Sequence, residues 1–193
     1  MFRLFPQPPA YAEDQPLSHT ILTWHVLSRG FALGSGFGSL TYLVRRYILK
    51  PNPSLSLLRS SGTGSLVGTG LLTLALLGRM RGRDEIEWKD RSWRLLWNRG
   101  QREVDDFWLG GLVLGGGVVA VAARGGAETG RGKGGGGGKG VWTVVQRGVR
   151  GTGWKGVVGG MGLGALGGML VQSGWRYGVR GGFGEERLDG SVV

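Results

Sequence analysis

At 193 residues the chain is one domain's worth, and its 42 glycines are about three times the usual ~7 % share, without the triplet period of collagen. The lack of cysteine excludes disulfides, thiolate metal sites and a thiol nucleophile. A net charge of +11 narrows the partners to nucleic acid, an anionic lipid surface, or the aqueous flanks of membrane segments, and the position of the charges discriminates among these.

In chain order, residues 1–19 contain Pro6, Pro8, Pro9 and Pro16 and read as a non-helical N-terminal segment, neither a secretory signal nor an Arg-rich presequence. Four uncharged stretches follow, at Gly30 to Val44, Ser60 to Gly78, Phe107 to Ala123 and Gly156 to Trp175. Their lengths of 15, 19, 17 and 20 residues compare with the about 17 to 25 that cross a hydrocarbon core. Including Ile21 to Leu27 lengthens the first, so the expected spans are 21–44, 60–78, 107–123 and 156–175, within a membrane domain over 20–175. The first then contains His25 and Arg29. Arg29 either snorkels toward water or faces the bundle interior; no uncharged stretch offers it an acidic partner, which favours snorkelling.

Small residues recur at four-residue spacing in every stretch: Gly30, Gly34 and Gly38; Gly64 and Gly68; Gly111 and Gly115; and the row Gly156, Gly160, Gly164 and Gly168. In water, Gly costs about 1 kcal/mol per helical position relative to Ala; in lipid the backbone must stay helical, and a Gly face admits another backbone. The predicted fold is therefore an all-α membrane protein of four Gly-rich transmembrane helices in a closely packed bundle. A soluble bundle would need polar outer faces, which these stretches lack.

Between the first two spans, Arg45 to Arg59 holds Arg45, Arg46, Lys50 and Arg59 without an acid, and Pro51 and Pro53 stop helical continuation. Arg79 to Asp106 balances eight basic residues against seven acids. Within it Ile86, Trp93, Leu96 and Trp97 fall near one helical face, which predicts an amphipathic helix at the membrane interface, with Trp88, Trp93, Trp97 and Trp108 as anchors at headgroup depth. The Gly/Lys run 125–140 reads as a flexible basic loop, and 176–193 as a charged tail. Lys and Arg counts nearly tie between the two sides. The scarcity of acids in Arg45 to Arg59 and Arg124 to Lys155 leans these loops toward the negatively charged compartment.

No constellation for chemistry stands out. Gly162-Leu163-Gly164-Ala165-Leu166-Gly167 matches G-x-G-x-x-G, with Glu185 downstream, but it lies midway along an apolar helix-length run, where a dinucleotide fingerprint would sit between a strand and a helix. Gly138-Lys139 is followed by Gly140 where a P-loop needs Ser or Thr. The carboxylate pairs Asp84/Glu85, Asp105/Asp106 and Glu185/Glu186 lie among bases and read as solvated ion-pair partners. His19 and His25 are poorly spaced for one metal. No catalytic, cofactor-binding or metal-binding residue is expected.

The four Gly-rich spans, basic odd-numbered loops and nearly neutral termini resemble the mitochondrial Tim-type four-helix translocase family and the related membrane subunit of respiratory complex I. The resemblance in motif covers Arg102, Asp106, Gly110, Gly111 and Gly115, with three residues between Asp106 and Gly110 where the family has six. Glu85 to Gln101, EIEWKDRSWRLLWNRGQ, is also similar to a motif shared among fungal membrane proteins. Such resemblance implies a mitochondrial inner-membrane protein that acts by packing. The expected function is a non-enzymatic subunit, scaffold or assembly component of a larger membrane complex. Its expected partners are the bilayer, anionic lipid head groups and other membrane subunits, with no cofactor and no nucleic acid. The alternatives are a translocase or transporter component using Arg29 and His25, and a soluble basic nucleic-acid binder.

Overall fold

The structure, a computed structural model, describes residues 5–49, 56–129, 149 and 153–179. Among the described residues there is no strand. Five helices carry the fold among the described residues: α1 (Ser18–Val44), α2 (Leu57–Met80), α3 (Glu85–Trp97), α4 (Arg99–Thr129) and α5 (Gly153–Gly174). Both α1 and α5 continue into a π turn, Arg45–Leu49 and Trp175–Val179. A 3-10 turn, Ala12–Asp14, lies within the N-terminal segment, and α1 takes up the last two residues of that segment, Ser18 and His19. Residues 130–140 of the expected Gly/Lys loop and 180–193 of the tail fall outside the described residues, whereas 125–129 are the last residues of α4.

Among the described residues, three segments are long and apolar enough to cross a membrane: Leu57–Met80, Gly100–Arg124 and Gly153–Val179. The helix α1 has the length, at 27 residues, but His19, His25 and Arg29 dilute its apolar character.

The helices pair as two antiparallel hairpins. In the first, Gly30 of α1 faces Gly68 of α2, Gly34 faces Gly64, and Gly38 faces Ser60. In the second, Phe107 of α4 faces Gly168 of α5, Gly111 faces Gly164, and Gly115 faces Gly160. A Cβ added at Gly30 would lie 2.8 Å from the Gly68 carbonyl oxygen, and the other seam glycines leave even less room. These backbones touch because hydrogen replaces a side chain, which is the physical content of the small-xxx-small pattern. The hairpins meet along α5, against α2 and α1. Gly159 abuts the Leu58 carbonyl, Gly62 abuts that of Lys155, and Gly162 lies over the Ser35 and Ser65 side chains. At the centre Ser35, Ser61, Ser65, Ala32 and Ala165 are all fully buried, and Ser35 and Ser61 share a 2.5 Å hydrogen bond between their hydroxyls.

Gly82, at φ 71, turns the chain from α2 into α3. Glu85 and Glu87 in the first turn of α3 and Arg94 in the last complement its macrodipole. Its inner face is Trp88, Ser92, Leu95 and Leu96, at helical spacing, and Trp88 and Leu95 pack on Leu22, Leu76 and Met80 at one end of the first hairpin. Of the residues expected on the apolar face of an interfacial helix, Leu96 is buried against the bundle, whereas Ile86 and Trp97 point outward, at 47 % and 55 % exposure. Asn98 ends α3 in an extended conformation, and its Oδ1 accepts a 3.2 Å hydrogen bond from the Gln101 backbone N–H, capping α4. The chain thereby turns from a surface helix into the longest helix of the bundle.

Candidate functional site

The cap at Asn98 places the first two turns of α4 beside α1. There Arg29 Nη2 donates to Asp105 Oδ1 at 2.7 Å and to Gln101 Oε1 at 2.9 Å. His25 Nδ1 is 3.6 Å from Asp105 Oδ2, within ionic range but beyond hydrogen-bond reach. All three ionisable side chains are less than one-fifth exposed. On the opposite flank of α4, Gln172 of α5 is 2 % exposed and donates to Glu103 Oε2 at 3.3 Å. The cluster thus joins α1 to α4 and α4 to α5 at one level of the bundle.

Of the two readings open for Arg29, the structure takes the bundle interior, against the favoured snorkelling one. Its partner lies 76 residues away in sequence. Asp105 sits just before the uncharged stretch that begins at Phe107, and α4 starts at Arg99, so the acid belongs to the same helix as the apolar residues. The available signal is an Arg immediately before the first seam glycine of α1 and an Asp two residues before Phe107, where the seam of α4 begins. An ion pair so placed is stabilising only with both partners present; removing one leaves a buried charge, at a cost of about 3–5 kcal/mol.

Beneath the pair, Trp108 is 4 % exposed and meets Trp24 and Phe31 edge-on, with ring centroids 5.7 Å and 6.5 Å away. It packs with Ala32 and Ala165 inside the bundle, and so differs from the outward-facing anchor expected of it. The other three expected anchors, Trp88, Trp93 and Trp97, belong to α3. Trp88 stacks on His19 with centroids 4.1 Å apart, and Trp93 Nε1 donates to the Pro9 carbonyl at 2.8 Å. Trp97 leans on Trp93.

The N-terminal segment is fastened to α3 by polar contacts. Lys89 Nζ donates to the Glu13 carbonyl, and Glu85 accepts from Ser18 Oγ at 3.0 Å and pairs with His19 Nε2 at 2.7 Å. The hydrogen bond from His19, followed by that from Ser18, holds the Glu85 carboxyl below its ordinary range.

Of the glycines singled out by spacing, Gly30, Gly34, Gly38, Gly64, Gly68, Gly111, Gly115, Gly160, Gly164 and Gly168 all lie on the two seams, and Gly156 is buried. Gly110, part of the family-like motif, faces open space. In the same motif, Asp106 lines the outer groove between α4 and α5, and the Arg102 Nε is buried. Spacing alone did not single out Gly62, Gly159 and Gly162, which seat α5 on the first hairpin. The G-x-G-x-x-G sequence lies wholly within α5. Among the described residues, no three His, Asp or Glu side chains gather as a metal site.

Comparison with protein-family models, with curated proteins and with solved structures found no match.

Proposed function

We propose that the chain is a four-span integral membrane protein that works as a structural or assembly subunit of a larger membrane complex. The observation that carries this reading is the closed centre. Where the hairpins meet, fully buried Ser35, Ser61, Ser65, Ala32 and Ala165 fill the axis, while the outer faces carry exposed Leu71, Leu74, Val113, Leu114, Leu170 and Val171. An apolar outside around a filled inside suits lipid and neighbouring subunits as partners. It does not favour a translocation path, and Arg29 and His25, the residues that such a path would use, face Asp105.

The fourth span is α1. Its support is the seam: Gly30 meets Gly68 and Gly38 meets Ser60, so α1 runs beside α2 through most of that apolar helix. With Arg29 paired inside the bundle, α1 crosses without an unpaired charge in lipid. The helix α3 then lies at the interface with the N-terminal segment, and the basic residues between α1 and α2 face anionic head groups. The mitochondrial inner membrane is the compartment suggested by the resemblance to the Tim-type family, and it rests on that resemblance. No enzymatic step is assigned.

Membranes containing the tagged chain should retain it in the pellet after alkaline carbonate extraction. Blue-native electrophoresis after mild solubilisation should show it in a species larger than the free chain. Migration only as a monomer would overturn the subunit reading.

A further inference from the structure

On the outward side of the first hairpin, the seam glycines Gly34 and Gly64 floor a groove of about 650 Å³, a size typical of ligand sites. Phe37, Val67 and Leu71 form its apolar walls. The polar residues along it are spent on backbone: Thr41 donates to the Phe37 carbonyl, Thr63 to that of Arg59, and Ser60 across the seam to that of Gly38. At one end, where α1 finishes and α2 begins, Arg45 and Arg59 line the mouth together with Ser56, whose side chain makes no cap hydrogen bond. Neither arginine has an acidic partner among the described residues, and the sequence from Arg45 to Arg59 contains no acid.

The groove has the length of one leaflet. From Arg59 to Leu71 along α2 is about 18 Å at 1.5 Å per residue, against about 15 Å for half a hydrocarbon core. We infer that this groove is a binding site for one anionic phospholipid, with its phosphate between Arg45 and Arg59 and an acyl chain lying along the glycine floor. Charge complementarity selects the occupant: a zwitterionic lipid brings a cation to the same two arginines, and a protein helix would leave them unpaired. The second hairpin provides the contrast. Its outward groove, about 1000 Å³, is equally apolar along Leu114, Leu163 and Val171 but is bordered by the carboxylates Glu103 and Asp106, which repel a phosphate.

The inference rests on the membrane reading, and the test separates the two. The full chain, purified in mild detergent, is titrated by native mass spectrometry with dioleoyl phosphatidylglycerol and dioleoyl phosphatidylcholine. One phosphatidylglycerol should bind per chain in preference to phosphatidylcholine. R45Q/R59Q should weaken that binding about 30-fold, on the scale of two basic residues at a lipid surface, and leave phosphatidylcholine unchanged. Val67→Trp, which fills the groove without touching the seam, should weaken both lipids. Equal binding of the two lipids by the native chain, or full phosphatidylglycerol binding by R45Q/R59Q, would overturn the site, as would loss of binding in E103Q/D106N instead. Inorganic phosphate that displaces the lipid at equal concentration would overturn the acyl-chain groove. Release of the native chain by carbonate would instead defeat the membrane reading on which the site depends.

Discussion

The two hairpins build the same seam from different surroundings. Gly34 and Gly38 of α1 occupy the places that Gly111 and Gly115 occupy in α4, and Gly64 and Gly68 of α2 match Gly164 and Gly168 of α5. Around those glycines, the first hairpin carries the cation Arg29 and three fully buried serines, while the second offers the anion Asp105 and the small Gly162 and Ala165. Glycine register therefore sets how closely two helices approach within a hairpin. Charge and small polar groups set how one hairpin recognises the other.

The strongest way to break that comparison is to push the seams apart. Gly164→Leu would drive a side chain into the Gly111 backbone, and Gly34→Leu would do the same against Gly64. Each should cost at least about 3 kcal/mol, the upper range for overpacking, because backbone cannot yield as a side chain can. Thermal unfolding in detergent, followed by size-exclusion chromatography, should show both variants losing the folded species, with Leu163→Ile close to native because Leu163 lines the outward groove. Equal losses for Gly164→Leu and Leu163→Ile would defeat the glycine-face account.

A smaller effect separates recognition between hairpins from packing within them. Asp105→Ala should destabilise by about 3 kcal/mol by stranding Arg29, and adding Arg29→Met should recover most of that loss, since a buried pair is often replaceable by apolar groups. The same thermal assay tests it. If the double variant is as unstable as the single, the stranded charge is not the cause.

The smallest effect lies at the edge of the first hairpin. The folded-state pKa of Glu85 is depressed, so its contribution is present above the ordinary carboxylate pKa and is lost as pH falls through the depressed value. Acidification below about pH 4, the ordinary Glu range, should loosen the N-terminal segment from α3 and expose it to an acid-active protease such as pepsin, with the bundle intact. With a protease active at neutral pH, Glu85→Gln should be cut in this segment at pH 7, where the native chain resists.

The same contrast explains what could be read in advance. Helix type, approximate limits and the seam rows follow from local properties: uncharged runs of helical length and glycines that repeat each turn. The partner of Arg29 is not local. The uncharged stretch stops at Phe107, two residues short of Asp105, and the Asn98 cap that carries α4 back to Arg99 lies inside a charged segment without apolar periodicity of its own. The inner face of α3 is not local either. Trp88 and Leu95 face inward because Leu22, Leu76 and Met80 of other helices wait there, and the moment of the isolated segment does not contain that information.

Read alone, the sequence indicates helical type, uncharged runs from which four spans are expected, and the places where backbones can come close. Tertiary structure decided which glycines meet, that Ser35, Ser61 and Ser65 close the centre, and that Arg29 is held by Asp105 rather than turned to water. Periodicity fixes the face of a helix on which a residue lies. What that face touches depends on the rotation and crossing of helices distant in sequence, and that is settled only when they pack.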